Sequence, residues 1–136
     1  ETCGHYPTDV LDQACRVLDA LIFDIKCLDS ARHKKATGVG SELILKNIGH
    51  VFEHFPDLPV LIRTPVIPGF NDTEEDILGI REMIPRKANI RYEALTYHRM
   101  GQPKYGYLGR RYELEGVKAD EAFMKRLNIM LKSYEK

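Results

Sequence analysis

The sequence predicts an α/β fold, part of a (β/α) barrel in which about three parallel strands alternate with helices. Three apolar runs of strand length begin near residues 20, 59 and 90. Between them lie segments whose apolar residues recur at helical spacing. Strands that alternate with helices form βαβ units and therefore a parallel sheet. With 136 residues, the chain has the length of one domain or of part of one.

The first predicted helix follows a loop that contains Gly4 and Pro7. Thr8 or Asp9 can cap it, because an N-cap side-chain oxygen accepts a backbone N–H of the first turn. The apolar positions at helical spacing are Val10, Leu11, Ala14, Val17 and Leu18. The opening residues 1–4 are typical of a loop that leads from a strand into a helix. We therefore expect the chain to be a fragment.

Residues 20–26, with the sequence ALIFDIK, predict the first strand. The β-branched and aromatic residues suit a parallel sheet that is covered on both faces. Asp24 and Lys26 are two positions apart and therefore point to the same face of a strand. At the C-terminal end of a strand, such a pair either plugs the sheet as a structural ion pair or belongs to a functional site. These residues alone leave both interpretations open.

Two helices are predicted between the first and second strands. Asp29 or Ser30 caps a short helix that runs through Lys35 and is closed by Gly38. Another helix begins at residues 41–42. Its apolar face is formed by Ile44, Ile48, Val51, Phe52 and Phe55.

The second strand is predicted at residues 59–64 and carries a charge, Arg63, near its end. A loop stiffened by two prolines follows. Asp72 or Thr73 caps the next helix, whose first turn carries three acidic residues where the helix dipole favours them. Its inward positions are Ile77, Ile80 and Ile84, and it stops at Pro85.

The third strand is predicted at residues 90–96 and is less apolar, which indicates a position nearer an edge. A Gly- and Tyr-rich loop from Tyr97 to about Ala119 follows, and loops of that length are usually functional. Asp120 caps the last helix, with Phe123, Leu127, Met130, Leu131 and Tyr134 at helical spacing. Three strands alone leave two open edges, so we expect the fragment to self-associate.

Composition excludes several classes of function. Twenty basic and twenty acidic residues give a net charge of zero, so no general affinity for nucleic acid or for an acidic membrane is expected. No apolar run approaches the ~20 residues of a membrane span, and no signal peptide is visible. Cys3, Cys15 and Cys27 match no zinc or iron–sulfur spacing. They are typical of reduced cysteines in a cytoplasmic protein.

Polar side chains follow each predicted strand, and the C-terminal ends of parallel strands meet at one rim. Thr2 would join that rim if a strand preceded it. Lys26 and Arg63 favour an anionic group such as a carboxylate or a phosphate. Asp24 can take an ammonium, a ribose hydroxyl or a metal cation. His98 can donate a hydrogen bond, stack or act as a base. The plainer alternatives are that Arg63 only pairs with Asp24 and that His98 is an exposed loop residue.

Other candidate sites are weaker. His50 and His54 lie one helical turn apart but lack the H-E-x-x-H pattern, so no metal site is predicted there. Gly38 and Gly40 have neither Walker nor dinucleotide-binding spacing. The basic pair at residues 110–111 suits contact with a partner protein better than base stacking.

Several segments match a known pattern in the same order along essentially the whole chain. They are ETCG at 1–4, FDIK at 23–26, HKKATGV at 33–39, IRTPVIPG at 62–69, YHRMG at 97–101, KY at 104–105, LG at 108–109 and YELEGVK at 112–118. In these segments the chain resembles the C-terminal part of glycyl-radical-enzyme activating enzymes. This is the family of pyruvate formate-lyase activating enzyme, within the radical S-adenosylmethionine superfamily.

The resemblance implies a partial barrel whose rim binds S-adenosylmethionine against a [4Fe–4S] cluster. In that family the cluster passes one electron to the sulfonium, and a 5′-deoxyadenosyl radical then abstracts a glycine hydrogen from a partner such as pyruvate formate-lyase. An electron donor such as flavodoxin or ferredoxin and an anaerobic setting are implied as well. By position, Lys26 and Arg63 would hold the methionine carboxylate, and His98 would contact the nucleoside. Asp24, with Thr2, would bind near the amino acid moiety or a monovalent cation.

The sequence also departs from the family pattern. The cluster-binding motif C-x-x-x-C-x-x-C is absent, and so is the Gly-rich segment that meets the methionine amino group. Glu1 stands where the family often has Asp. We therefore expect residues 1–136 to be the C-terminal portion of such an enzyme, without a catalytic residue of its own and inactive alone.

Two other interpretations stay open. One is a non-catalytic α/β domain that binds an anionic metabolite or docks a partner protein. The other is a sugar-phosphate isomerase that uses Lys26 and His98 as an acid–base pair.

Overall fold

The computed structural model describes residues 1–134, and in them three strands form one parallel sheet. The strands are β1 (Leu21–Asp24), β2 (Val60–Val66) and β3 (Ile90–Thr96), in that order across the sheet. The helices are α1 (Thr8–Cys15), α2 (Ser30–Thr37), α3 (Glu42–His54), α4 (Glu74–Met83), α5 (Gln102–Tyr107) and α6 (Glu121–Ser133). The predicted α/β class and the parallel pairing are confirmed.

The pairing register places side chains from all three strands in rows. Asp24 lies opposite Arg63, which in turn lies opposite Glu93. On the other edge of β1, Thr2 forms a parallel bridge with Phe23. The Thr2 N–H donates to the Ile22 carbonyl at 3.0 Å, and the Thr2 carbonyl accepts from the Asp24 N–H at 2.9 Å. Thr2 therefore joins the sheet at its C-terminal rim, as predicted.

Side chains alternate between two faces of the sheet that differ in burial. One face packs against the helices through Leu21, Phe23, Val60, Ile62, Thr64 and Val66, all of which are buried. The opposite face, here called the open face, carries Ile22, Asp24, Leu61, Arg63 and Pro65, which are half-buried, and the exposed Glu93. The expectation that the strands are covered on both faces is therefore wrong for the described residues.

The helix-covered face holds two apolar clusters. The larger joins α1, α3 and the end of α4 to β1 and β2, and its members include Leu11, Ile48, Val51, Ile80 and Ile84. The smaller joins α4 and α6 to the later part of the sheet through Val66, Ile77, Ala94, Phe123, Met124, Leu127 and Leu131. Both clusters lie behind the sheet and leave the open face free for a site.

The first helix is shorter than its apolar pattern predicts. It ends at Cys15, so Val17 and Leu18 lie beyond it, and they are 81% and 40% exposed. The predicted caps are also wrong, since the N-cap is Pro7 and Thr8 is already helical. The Thr8 hydroxyl instead donates to Asn47 Oδ1 at 2.7 Å, which ties α1 to α3.

Three other predicted caps are confirmed by hydrogen bonds. Asp29 accepts from the Arg32 N–H at 2.8 Å, Thr73 from the Asp76 N–H at 3.1 Å, and Asp120 from the Phe123 N–H at 2.9 Å. Gly38 ends α2 in the left-handed conformation with φ of 90°. Ser41 is the N-cap residue of α3, but its hydroxyl donates to the Leu28 carbonyl instead.

Two further boundaries differ from prediction. β1 ends at Asp24, two residues before Lys26, whereas β2 continues through Pro65 to Val66. The segment 97–119, predicted as loop, contains α5, a six-residue helix without a buried side chain. No helix in the described part of the chain is both long and apolar enough to span a membrane.

Candidate functional site

Four charged side chains gather where β1 ends and beside the middle of β2, which carries Arg63. Lys26 Nζ lies 3.6 Å from Asp24 Oδ2, and Arg63 Nη2 lies 3.4 Å from Glu1 Oε1. Glu1, Asp24, Lys26 and Arg63 form what is here called the charged cluster. Asp24 and Lys26 are in contact, although Lys26 lies beyond the end of the strand in which both were predicted.

Arg63 does not form the interior pair with Asp24 that the sequence allowed. The two residues are neighbours across the strands, but the carboxylate that Arg63 contacts is that of Glu1. Glu1 is 53% exposed, and such an exposed pair adds little stability because water screens it. Arg63 is therefore available to a stronger anionic partner.

Two polar atoms of the charged cluster have no hydrogen-bond partner among the described residues. They are Asp24 Oδ1 and Arg63 Nε, and both are shielded from solvent. A buried polar atom without a partner costs free energy, so structures usually satisfy it. The unmet capacity favours a polar ligand that offers an anion to Arg63 and Lys26 and a cation to Asp24. An α-amino acid group carries both charges and fits this donor set.

The backbone at Lys26 is held in place by Asn71, which is fully buried. The Asn71 amide donates to the carbonyls of Lys26 at 2.7 Å and Pro65 at 2.9 Å. Its Oδ1 accepts the Ile67 N–H at 2.7 Å. This side chain therefore holds the exit of β1 to the loop after β2.

Thr64 adds a second support to the same exit. It is fully buried, and its hydroxyl donates to the Ile25 carbonyl at 2.7 Å. Sequence reasoning missed both Asn71 and Thr64 as residues that position the site. An asparagine two residues after a Pro-Gly pair is typical of a turn, and only the folded chain shows that it is buried.

The segment that carries Glu1 and Thr2 is held by Asn47 of α3. The Asn47 amide donates to the carbonyls of Gly4 at 2.7 Å and Tyr6 at 2.8 Å. The Thr2 hydroxyl accepts the Gly4 N–H at 3.0 Å, so its oxygen serves a local turn. Thr2 therefore contributes to the rim mainly by placing backbone beside β1.

His98 follows the C-terminal end of β3 and lies outside this network. It follows the end of β3 by two residues, is exposed, and makes no hydrogen bond to another described residue. Nothing in the described contacts joins it to Lys26, as an acid–base pair would require. Its position at a neighbouring strand end is the one predicted, and its role is not tested by the geometry.

The histidine pair of α3 has a structural partner. His50 Nε2 lies 3.2 Å from Asp12 Oδ1, and the His50 and His54 rings stack with centroids 4.1 Å apart. The hydrogen bond from His50 holds the pKa of Asp12 below its usual value, and Arg16 acts in the same direction. Across residues 1–134, no group of three His, Cys, Asp or Glu side chains could hold a metal ion.

The three cysteines are free and lie apart. Cys3 is exposed, while Cys15 and Cys27 are buried. Burial raises the pKa of the Cys15 thiol, which keeps it protonated. Arg32 Nη2 lies 3.3 Å from Cys27 Sγ and also pairs with Asp76. The residues present therefore do not fit an iron–sulfur cluster, which requires three thiolates at one place.

Known proteins are similar in sequence to this chain over nearly its whole length. The chain is 99% identical over 136 residues to a (2S)-3-sulfopropanediol sulfolyase activating enzyme from Bilophila wadsworthia, of which it covers 45%. It is 44% identical over 131 residues to an isethionate sulfite-lyase activating enzyme from Nitratidesulfovibrio vulgaris, of which it covers 42%. A choline trimethylamine-lyase activating enzyme from Oleidesulfovibrio alaskensis is 36% identical and is covered to 44%. The chain thus spans less than half the length of these relatives.

A solved structure shares the fold. A domain of pyruvate-formate lyase-activating enzyme from Bacteroides vulgatus superposes with a TM-score of 0.68 at 26% identity. The match covers 94% of this chain and 70% of that one. No protein-family model matches the sequence. The relatives and the solved structure together confirm the resemblance found in the sequence motifs.

Proposed function

We propose that this chain, whose sequence and fold are those of part of a glycyl-radical-enzyme activating enzyme, forms one wall of that enzyme's S-adenosylmethionine site. The proposal takes residues 1–136 as the C-terminal portion of a longer partial barrel. It also places the enzyme in the cytoplasm of an anaerobic cell, with a flavodoxin or a ferredoxin as electron donor. The observation that carries it is the charged cluster at the end of β1, which Arg63 joins from the middle of β2.

The charged cluster provides complementary charges for the amino acid end of the cofactor. Lys26 and Arg63 would hold its carboxylate, because charge-assisted bonds from a guanidinium are strong and directional. Asp24 would accept from its ammonium through the oxygen that has no partner within residues 1–134. Binding would replace the weak contact of Arg63 with the exposed Glu1.

The remaining predicted ligands take supporting roles in this proposal. Thr2 would set the backbone at the edge of the site, and His98 would contact the nucleoside from the end of β3. When bound, S-adenosylmethionine supplies the radical that removes a glycine hydrogen from the partner enzyme. The chain's own residues bind and orient the cofactor, and the ligands of the iron–sulfur cluster would come from elsewhere in the enzyme.

The partner enzyme follows from the names of the relatives. The relative that is 99% identical activates a (2S)-3-sulfopropanediol sulfolyase. We therefore take that sulfolyase as the glycyl-radical partner, in place of pyruvate formate-lyase, which the sequence motifs offered as an example. Fewer than two residues in a hundred differ from that relative, so the same partner is the simplest assignment.

Substitution of the two cations tests the site. In the full-length enzyme, Lys26→Ala and Arg63→Ala should each raise the Kd for S-adenosylmethionine at least about tenfold, since each removes a charge-assisted contact. Isothermal titration calorimetry measures this directly. Arg91→Ala is the matched control, because Arg91 is an exposed arginine near the N-terminal end of β3 and outside the charged cluster. An unchanged Kd in both site variants would show that the rim assignment is wrong.

A further inference from the structure

The segment after β3 carries several large apolar side chains that are mostly exposed. α5 has no buried residue, although it lies within a chain that otherwise forms two apolar clusters. Tyr107 is 86% exposed, Leu108 is 68% exposed and Met100 is 73% exposed. The three residues lie close together in the sequence, and large apolar side chains that are exposed together on a surface mark interaction sites.

This surface has a defined shape. The Tyr97 and Tyr112 hydroxyl oxygens are 2.5 Å apart, which closes the segment between them. The Tyr105 and Tyr112 rings meet edge to face with centroids 5.0 Å apart. The Arg110 N–H donates to the Tyr105 carbonyl at 2.8 Å and ends the turn after α5. The exposed side chains are therefore presented on a folded scaffold.

The same segment is basic in a chain that is neutral overall. Residues 97–118 include five exposed basic side chains and only two exposed carboxylates. The cations are Arg99, Lys104, Arg110, Arg111 and Lys118, and the carboxylates are Glu113 and Glu115. Aromatic residues together with arginines are the composition enriched at the centres of protein interfaces. The charge favours a partner with an acidic surface.

We propose that residues 97–118, here called the docking segment, bind the protein substrate of the enzyme through an acidic surface beside its reactive glycine. The inference rests on the proposed function, which requires a polypeptide to approach the rim. The docking segment begins directly after β3 ends at Thr96, and in this parallel sheet that is the same C-terminal edge at which β1 ends at Asp24. A protein bound to this segment would therefore approach the C-terminal edge of the sheet, from which the proposed function requires the glycine to enter.

The test uses the full-length enzyme and the purified sulfolyase named above. Tyr107→Ser combined with Leu108→Ser should raise the Kd of the two proteins at least about thirtyfold, the size of a hot-spot loss. Arg110→Glu combined with Arg111→Glu should do the same. Raising the salt from about 0.1 M to about 1 M should weaken wild-type binding, because it shortens the Debye length from about 10 Å to about 3 Å.

Matched controls carry the same changes elsewhere. Ile129→Ser alters an isoleucine on α6 that is 73% exposed, and Lys46→Glu reverses an exposed charge on α3. Both controls should bind the sulfolyase like the wild type. All variants should unfold at the wild-type temperature, since the altered side chains pack on no described core residue.

The outcomes separate this inference from the proposed function. The docking variants should bind S-adenosylmethionine with unchanged Kd, because none of the altered residues lies in the charged cluster. If they also bind the sulfolyase with unchanged Kd, the docking segment is not the interface. If the wild-type enzyme fails to bind S-adenosylmethionine at all, the proposed function is wrong instead.

Discussion

Asn71 and Tyr92 both place polar groups in the protein interior, but they differ in how well those groups are hydrogen-bonded. Asn71 uses both ends of its amide and makes three hydrogen bonds to backbone groups. The Tyr92 hydroxyl is buried and meets no residue among 1–134 in good hydrogen-bond geometry, and the nearby Thr64 side chain only partly offsets the effect of burial on its pKa. Burial raises the pKa of Tyr92 from 10.0 to about 12, because the phenolate is poorly solvated there.

Removal of the Tyr92 hydroxyl should stabilise the chain. Tyr92→Phe relieves an unpaired buried group, so the free energy of unfolding should rise by ~1 kcal/mol at neutral pH. Because the folded pKa lies above the unfolded value, the wild type loses stability as pH rises from 10.0 towards about 12. Tyr92→Phe should lose less over that window.

Urea denaturation at neutral and alkaline pH measures both effects. Tyr107→Phe is the control, because Tyr107 is 86% exposed and its hydroxyl is solvated. A lower midpoint for Tyr92→Phe at neutral pH would mean that the hydroxyl has a stabilising partner.

The charged residues of the site were predictable, whereas the residues that position them were not. Asp24, Lys26 and Arg63 stand directly after apolar runs, so the strand pattern alone brings them to one rim. Asn47 and Asn71 carry no such signal. Each acts through bonds to backbone groups of distant segments, and those neighbours exist only once the helices have packed.

Gly4 shows how one position controls an element. Its φ is +69°, a conformation that favours glycine, and a Cβ there would overlap the Phe23 ring. Gly4 therefore allows the segment that bears Glu1 and Thr2 to lie flat against β1. The Asn47 bonds then fix it in place.

Gly4→Ala should displace that segment and destabilise the chain by more than ~2 kcal/mol, from backbone strain and overlap together. Gly49→Ala is the matched control, because Gly49 is a helical residue of α3 with nothing within 4 Å of a Cβ. It should stabilise by ~0.5–1 kcal/mol through helix propensity.

Denaturant titration compares the two alanine variants under the same conditions. Hydrogen exchange at the Asp24 amide, which bonds to the Thr2 carbonyl, should also accelerate in Gly4→Ala. Equal stability of the two variants would contradict the proposed packing of Gly4 on Phe23.

The errors in predicting elements have definite physical causes. α5 contains Pro103 and Gly106 within six residues and has no apolar side buried, so neither propensity nor periodicity indicates it. The strands carry apolar residues such as Ile22 and Leu61 on the open face. That composition is typical of a sheet covered on both sides, and sequence alone does not show that one cover is missing from residues 1–134.

The molecule as a whole exposes features that favour association with itself. Within residues 1–134, β3 has no strand on its outer edge, and the open face carries the half-buried Leu61 and Leu95. Unpaired edges and uncovered apolar faces promote contacts between chains. Self-association of this chain, expected from its sequence, stays a prediction.

Light scattering over a wide concentration range tests it. The mass per particle should rise with concentration, and Leu95→Lys should suppress the rise by charging the face next to the edge. Val17→Lys is the control, since Val17 is 81% exposed and lies far along the chain from β3. A constant monomer mass for the wild type would count against the prediction.

Burial alternates along β2, so successive residues of this strand belong to two different environments. Val60, Ile62, Thr64 and Val66 face the helices, while Leu61, Arg63 and Pro65 lie on the open face, where the proposed ligand would bind. Even- and odd-numbered positions can therefore change independently during evolution, so that ligand preference drifts while the core is conserved. Because both faces of β2 have a role, we expect the strand to tolerate neither insertions nor deletions. A shift by one residue would send arginine into the core and isoleucine into the site at once.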